Sequence, residues 1–215
     1  MTNHLNAILL GCGCFPFFAI LMTLPIFAIT IIKYKTVNPV RIGLNYFGLL
    51  YFLCLIAVVF FPLPTMEQAQ QLSGHEFQSI PFHFICDIIK DNTLDITRPA
   101  TYLKGLYNTA VLQIICNILM TVPFGMLLRY YFGVSGKKIV IITCLLSLVI
   151  EIAQLTGLFG IYKGSYRLCD VDDLMANTLG GYVGYRLVHA VEAFVPSIHQ
   201  FDLKRFHKGH KLTVE

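Results

Sequence analysis

Five long runs of apolar residues, separated by polar stretches, dominate the chain. They extend over about residues 5–32, 42–61, 106–128, 139–158 and 171–195, and each has at least 20 residues. At about 1.5 Å of rise per residue, a helix of that length crosses the roughly 30 Å hydrocarbon core of a bilayer. A helix also satisfies its backbone hydrogen bonds internally, as a membrane span must. The pattern predicts an all-α integral membrane helical bundle of five transmembrane helices.

The composition strengthens this prediction and excludes several classes of function. The chain is 56% hydrophobic and 13% charged, whereas a soluble domain has about 25% charged residues. We therefore expect membrane lipids as partners and no nucleic acid. The seven histidines show no metal-ligand spacing, so we predict no metal site and no resident cofactor. Most cysteines lie in apolar runs, while Cys86 and Cys169 lie in loops, where their pairing is left open.

The distribution of charge predicts an orientation for the five helices. Basic residues cluster in residues 33–41, in residues 129–138 and after the fifth run, whereas residues 65–104 carry five acidic and three basic residues. Cytoplasmic loops of membrane proteins are enriched in Lys and Arg. We therefore predict an N-out, C-in chain with one polar outer loop at residues 65–105. The predicted organisation is a first helix and basic loop at 1–41, a membrane domain at 42–195 and a basic cytoplasmic tail at 196–215.

Polar side chains occur inside three of the predicted spans. Glu151 lies roughly 10 Å and Asn177 about 9 Å from the outer ends of their helices, and Asn117 lies near the middle of its own. Gln154 shares a helix face with Glu151. Such groups normally face a protein interior or a wet cavity rather than lipid. An interhelical hydrogen bond is the simpler explanation for each asparagine, whereas a carboxylate at the position of Glu151 favours a functional role.

The last run begins with acids and continues with glycines. Arg167, Asp170, Asp172 and Asp173 are expected to form the rim of an outward-facing cleft, although such aspartates also cap helices and suit the helix dipole. Small residues at four-residue spacing let helices approach closely. We therefore expect the fifth helix to pack on the fourth, with Glu151 in the same cleft as Asn177. The packing residues predicted for this ridge are Gly180, Gly181 and Gly184.

Three sequence motifs together resemble the VanZ-like membrane family. Residues 117–125 are similar to its N-x-L-x-F-x-P-F-G run, with Thr121 in place of phenylalanine, and Glu151 with Gln154 matches its E-x-x-Q. Residues 167–184, which include the arginine, the aspartates, Asn177 and the glycines, are similar to the last motif of the family. A weaker similarity covers residues 79–82, with Ser79 where asparagine is usual. The resemblance implies a multi-pass protein of the bacterial cytoplasmic membrane, associated with glycopeptide (teicoplanin) resistance, and it implies no settled reaction.

Three functions remain open at this point. The cleft binds an envelope lipid, a lipid-linked precursor or a glycopeptide target, with Arg167 on a phosphate because a guanidinium suits bidentate phosphate recognition. Alternatively, the protein is an acid/base enzyme, with Glu151 as general acid and Asp170 or Asp173 as base, and a divalent cation at the aspartates is compatible with their oxygen ligands. In the third alternative the polar residues only hold the helices together, and the protein acts through partners that the sequence does not identify. The ligand-binding residues predicted for the first function are Asn117, Glu151, Gln154, Arg167, Asp170, Asp172, Asp173 and Asn177.

Overall fold

The computed structural model describes residues 2–63, 65, 67, 77–90, 98, 101, 105, 107–165 and 167–205. Within them most residues are helical. The helices are α1 (Thr2–Tyr34), α2 (Pro39–Phe60), α3 (His83–Lys90), α4 (Thr109–Tyr130), α5 (Gly136–Leu155), α6 (Gly157–Gly160), α7 (Val171–Val191) and a 3-10 turn (Ile198–Phe201). Two short ribbons join β1 (Thr36–Val37) to β4 (Lys204–Arg205) in antiparallel fashion and β2 (Phe77–Gln78) to β3 (Cys169–Asp170) in parallel.

Four of the described helices are long and apolar enough to cross a membrane. These spans are Leu5–Tyr34, Pro39–Phe60, Thr109–Tyr130 and Gly136–Leu155. The all-α, multi-pass class predicted from the sequence is therefore confirmed. The fifth predicted span forms helix α7, which has 21 residues, but Asp172, Asp173 and Arg186 make it less apolar than the other four. The fifth span and the N-out orientation stay predictions.

Internal contacts divide the chain into two units. The hairpin unit comprises Met1–Pro62 with Ala190–Glu215, and the site unit comprises Leu63–His189. The site unit contains α3 to α6 and nearly all of α7, and every predicted site residue falls within it. The functional division at residues 1–41, 42–195 and 196–215 stays a prediction.

In the hairpin unit, the connection between α1 and α2 is joined to the start of the tail. Asn38 is fully buried, and its Oδ1 accepts the Arg41 N–H at 2.9 Å as the N-cap of α2. Its Nδ2 donates to the Ile198 carbonyl at 2.6 Å and to Asp202 Oδ1 at 2.8 Å. The Arg41 guanidinium stacks 3.7 Å from the centre of the Tyr34 ring. The first residues of the predicted basic tail therefore contact the connection between α1 and α2. The rest of the tail, residues 206–215, lies outside the described residues.

In the site unit, glycines bring α7 against two other helices. A Cβ atom added to Gly180 would lie 2.2 Å from the Ile118 carbonyl oxygen, and one added to Gly184 would lie 2.1 Å from the Val122 carbonyl oxygen. On the adjacent face of α7, a Cβ on Gly181 would lie 2.3 Å from the Thr143 hydroxyl. No side chain fits at these distances. The helix α7 therefore packs on α4 as well as on α5, whereas the sequence pointed only to the latter.

Helix ends deviate from the predicted runs for local reasons. The fourth run was expected to continue to about residue 158, but α5 ends at Leu155 because Gly157 adopts a φ of 62°. Leu158 and Phe159 also have positive φ values, 55° and 58°, so the chain turns sharply instead of extending the helix. At the start of α4, the Asn108 side chain accepts the Ala110 N–H at 2.8 Å and fixes the first turn.

Candidate functional site

The side chain of Glu151 joins α5 to the start of α7. It is 4% exposed, and its Oε2 accepts the backbone N–H of Asp170 at 3.0 Å. The Cys169 thiol forms a second hydrogen bond to the same carboxylate. Both partners lie in β3, immediately before α7. Glu151 is therefore a buried carboxylate with donors from the loop that covers it.

The aspartates Asp170 and Asp172 each occupy the N-terminus of a helix. Asp170 Oδ1 accepts the Asp172 N–H at 2.8 Å and so caps α7. The Asp172 carboxylate is only 4% exposed and accepts the N–H groups of Phe82, at 2.5 Å, and Phe84, at 3.0 Å. These two groups lie at the start of α3, so Asp172 caps a helix that is remote in sequence. Asp172 is thus buried in the site unit, not at an exposed rim.

The third aspartate, Asp173, faces α4. Its two carboxylate oxygens accept Gln113 Nε2 at 3.0 and 3.1 Å. Arg167, which is exposed in the loop before β3, interacts electrostatically with Asp173. Backbone or amide N–H groups therefore stabilise all three aspartates, while the guanidinium of Arg167 lies at the surface.

Burial changes the proton affinities of the loop residues next to Glu151. Desolvation raises the pKa of Asp170 above its usual range, and the hydrogen bond from the Asp172 N–H partly offsets this. Desolvation, and then the negative charge of Glu151, raise the pKa of the Cys169 thiol to about 11. Because the thiolate is the nucleophilic form of cysteine, Cys169 is a hydrogen-bond donor at neutral pH rather than a nucleophile.

The remaining candidate residues lie on both sides of Glu151. Gln154 is 5% exposed, and its carbonyl oxygen accepts the Ser165 hydroxyl at 3.3 Å. Asn177 lies deeper in the unit, where its Nδ2 donates to Ser147 Oγ at 2.9 Å. Asn117 is half-buried on α4. The structure thus brings Glu151 to Asp170 and Cys169, and it brings Asn177 to Ser147.

Several polar residues of the site were missed in the sequence. Gln113 binds Asp173, Ser147 binds Asn177, and the Thr121 hydroxyl donates to the Asn177 carbonyl at 2.8 Å. Their spacing was a usable signal, because Ser147 precedes Glu151 by four residues and Gln113 precedes Asn117 by four. Four residues is about one helical turn, so each pair shares a face.

The oxygen atoms of the aspartate cluster are the candidate ligands for a cation. In the part of the chain that the structure describes, no group of three or more His, Cys, Asp or Glu side chains is arranged to hold a metal ion. The carboxylates of Asp170, Asp172 and Asp173 already accept hydrogen bonds from protein N–H groups. The two cysteines expected in loops are free thiols, and the structure places Cys86 on α3 and Cys169 in β3.

The helices that carry the candidate site lie in a part of the chain that matches a protein family. A family model described as VanZ/LLP1 matches residues 47–192, about two thirds of the chain. The matched region includes α4, α5, α7 and every candidate site residue. No curated protein gives a significant match to the chain. No solved structure does so either.

Proposed function

We propose that this chain, which belongs to the VanZ/LLP1 family, binds an envelope lipid or a lipid-linked precursor at the end of the site unit that carries Glu151 and Arg167. Family membership and four apolar helices make it a multi-pass membrane protein of the VanZ type. We place it in the bacterial cytoplasmic membrane and propose a part in tolerance to glycopeptides such as teicoplanin. The positive-inside distribution of Lys and Arg, with α7 as a fifth span, puts the binding end at the outer leaflet.

The observation that carries the proposal is the way in which the aspartates are neutralised. Three aspartates near Arg167 would repel an anionic headgroup if their charges faced it. Instead, Asp170 caps α7, Asp172 caps α3 and Asp173 accepts the Gln113 amide. Hydrogen bonds from N–H groups at helix N-termini offset negative charge locally. The exposed guanidinium of Arg167 therefore lies beside carboxylates whose charge is already offset by protein donors, and we propose that an anion adds to its contacts.

A lipid-linked headgroup suits the chemistry of the surrounding groups. Arg167 presents a planar guanidinium, which binds phosphate oxygens in a bidentate manner. The acyl or polyprenyl part of such a ligand would remain in the bilayer beside apolar helices. Polar atoms for the head of the ligand would come from Glu151, Gln154 and Asn117, with Asn177 supporting them from deeper in the unit. A divalent cation would bridge the phosphate to an aspartate.

Two alternatives each rest on a specific observation. Glu151 contacts Asp170 directly, so two carboxyl groups in unlike environments, one buried and one half-exposed, lie in one cluster. That arrangement suits an acid/base enzyme acting on an envelope lipid. The buried position of Asp172 between α3 and α7 instead favours a purely structural role for the acids, with function exerted through partner proteins.

The variant Glu151→Gln separates a site from a scaffold. Glutamine keeps an oxygen acceptor for the Asp170 N–H but removes the charge. If the proposal holds, the variant is membrane-inserted at the wild-type level and glycopeptide susceptibility of the host rises. Asp87→Asn, at a half-exposed acid in α3, is the matched control and leaves susceptibility unchanged.

Incubation of the purified protein with envelope lipids distinguishes binding from catalysis. We expect saturable binding of an intact lipid, detected by mass spectrometry. Conversion of the lipid would establish the enzyme instead. An unchanged phenotype for a folded Glu151→Gln protein, together with no lipid retained, would leave only the structural function.

A further inference from the structure

Three helices of the site unit carry polar or small residues at four-residue spacing. Because four residues is about one helical turn, each set lies along one face of its helix. We call these nine positions the polar axis. They are Gln113, Asn117 and Thr121 on α4, Thr143, Ser147 and Glu151 on α5, and Asp173, Asn177 and Gly181 on α7.

Contacts show that the three sets face one another. Gln113 binds Asp173 at one level, and Asn177 binds Ser147 at the next, with an Nδ2–Oγ distance of 2.9 Å. One turn further, Gly181 packs against the Thr143 side chain. From Thr143 to Glu151 the axis extends about 12 Å along α5, at 1.5 Å per residue. Polar groups of three helices therefore line one path, which begins at the exposed Gln113 and is buried from Asn177 and Ser147 to Thr143.

Three buried polar atoms on this axis have no hydrogen-bond partner among the described protein atoms. They are Asn117 Nδ2, Thr143 Oγ1 and Asn177 Oδ1, one from each helix. Thr143 is 0% exposed and Asn177 is 4% exposed. Buried polar groups in folded proteins nearly always have partners, because an unmade hydrogen bond destabilises the fold. The three atoms comprise a donor, an acceptor and a hydroxyl that does both.

We propose that the polar axis is an internal water site, with water bound between Asn117, Thr143 and Asn177. Water both donates and accepts, and buried waters typically form about three hydrogen bonds to otherwise unpaired groups. A bare cation would be repelled by the Asn117 N–H group. Ser147, which accepts the Asn177 amide, lies one turn from Glu151, so the hydrated site would end within a turn of this carboxylate. The inference holds whether or not the protein binds a lipid.

The variant Thr143→Val tests the site through the sign of a stability change. Valine has nearly the same shape as threonine but lacks the hydroxyl. If water bridges Thr143 to the asparagines, the substitution breaks a network and lowers the Tm of the purified full-length protein by several degrees. If the hydroxyl lies in a dry interior, replacing it by a methyl group raises the Tm, and the proposal is overturned. Thr178→Val is the control, because the Thr178 hydroxyl donates to its own helix at Leu174 (2.7 Å).

A second measurement decides the question even if Thr143→Val fails to fold. In the wild-type protein with ¹⁵N-labelled asparagine, we expect NMR cross-peaks between water and the side-chain amides of Asn117 and Asn177. Asn38 provides the internal reference, because its buried Nδ2 donates to Ile198 and Asp202 and should show none. Absence of water cross-peaks at both Asn117 and Asn177 would overturn the proposal, whatever the variant does.

Discussion

The buried carboxylate of Asp172 gives the sharpest test of how the site unit is held together. It accepts N–H groups from Phe82 and Phe84, about 90 residues earlier in the chain. Phe82 has a φ of 62°, an unfavourable conformation for a residue with a Cβ atom. Asp172 therefore both caps α3 and holds Phe82, the strained residue just before that helix, in place.

The variant Asp172→Asn removes the charge and replaces one acceptor oxygen by a donor. A hydrogen bond to a charged group contributes about 1.5–3 kcal/mol, and a helix-terminal charge about 0.3–1 kcal/mol. Asparagine keeps one acceptor, so the expected loss is about 2–4 kcal/mol. Because Asp172 is 4% exposed, solvent screening does not reduce this estimate. For a chain of this size the loss lowers Tm by on the order of 5–10 °C.

Thermal unfolding in detergent can be followed with a thiol-reactive dye, since the chain has seven cysteines and no tryptophan. Cys169 is 7% exposed and reports opening of the loop beside Asp172. The matched control is Asp87→Asn on α3, where Asp87 pairs with His83 at 3.3 Å in a half-exposed position and contributes about 0–1 kcal/mol. Equal Tm values for the two variants would refute the role given to Asp172.

Two further predictions concern packing and accessibility. Gly184→Ala should destabilise the protein by about 1–3 kcal/mol through overpacking, because the new Cβ would lie 2.1 Å from the Val122 carbonyl oxygen. Gly13→Ala, with no atom within 4 Å of the new Cβ, should not destabilise it. Comparable Tm values for the two variants in thermal unfolding scans would contradict this packing. A membrane-impermeant maleimide should label Cys86 from outside in spheroplasts, and Cys86→Ser should abolish that signal, while labelling only after lysis would reverse the orientation. Cys169 should resist alkylation at pH 8, because a pKa of about 11 leaves roughly one thiol in a thousand ionised. In the folded protein, its alkylation should accelerate only as the pH approaches 11.

The positions of the long helices could be predicted from the sequence because long apolar runs mark the segments that cross a membrane. Each apolar run became a helix within about four residues of its predicted ends. The largest difference is at the end of α7, which stops at Val191 rather than at about residue 195, and α5 ends early because of the positive φ of Gly157. The close approach of α7 to a neighbour followed from its glycine spacing. The second partner, α4, did not follow, because spacing within one helix shows a face and not the helix that meets it.

The contacts of the acids could be predicted only in part. Glu151 and Asn177 were expected in one cleft, but their partners were not predicted: the loop after α5 folds back so that Glu151 accepts the Asp170 N–H, and Asn177 donates to Ser147, one turn from Glu151. The Asp172 contact depends on pairing of β2 with β3, and strands of two residues leave no pattern in a sequence. Ser147 and Thr143 were overlooked because single hydroxyls hardly change the hydropathy of an apolar run, although their four-residue spacing from Glu151 was visible.

We propose that Arg167 receives the anionic head of an envelope lipid, and the affinity of the purified protein in nanodiscs for a phosphate-bearing lipid measures this contact. Losing a charge-assisted contact of about 1.5–3 kcal/mol corresponds to a roughly 10–100-fold rise in Kd for Arg167→Gln. Arg167→Lys should recover only part of the affinity, because an ammonium does not provide the planar fork. Lys163→Gln, at another exposed cation in the same loop, should bind within about twofold of the wild type if long-range charge contributes little. Equal losses for Arg167→Gln and Lys163→Gln, or no loss for either, would contradict the account.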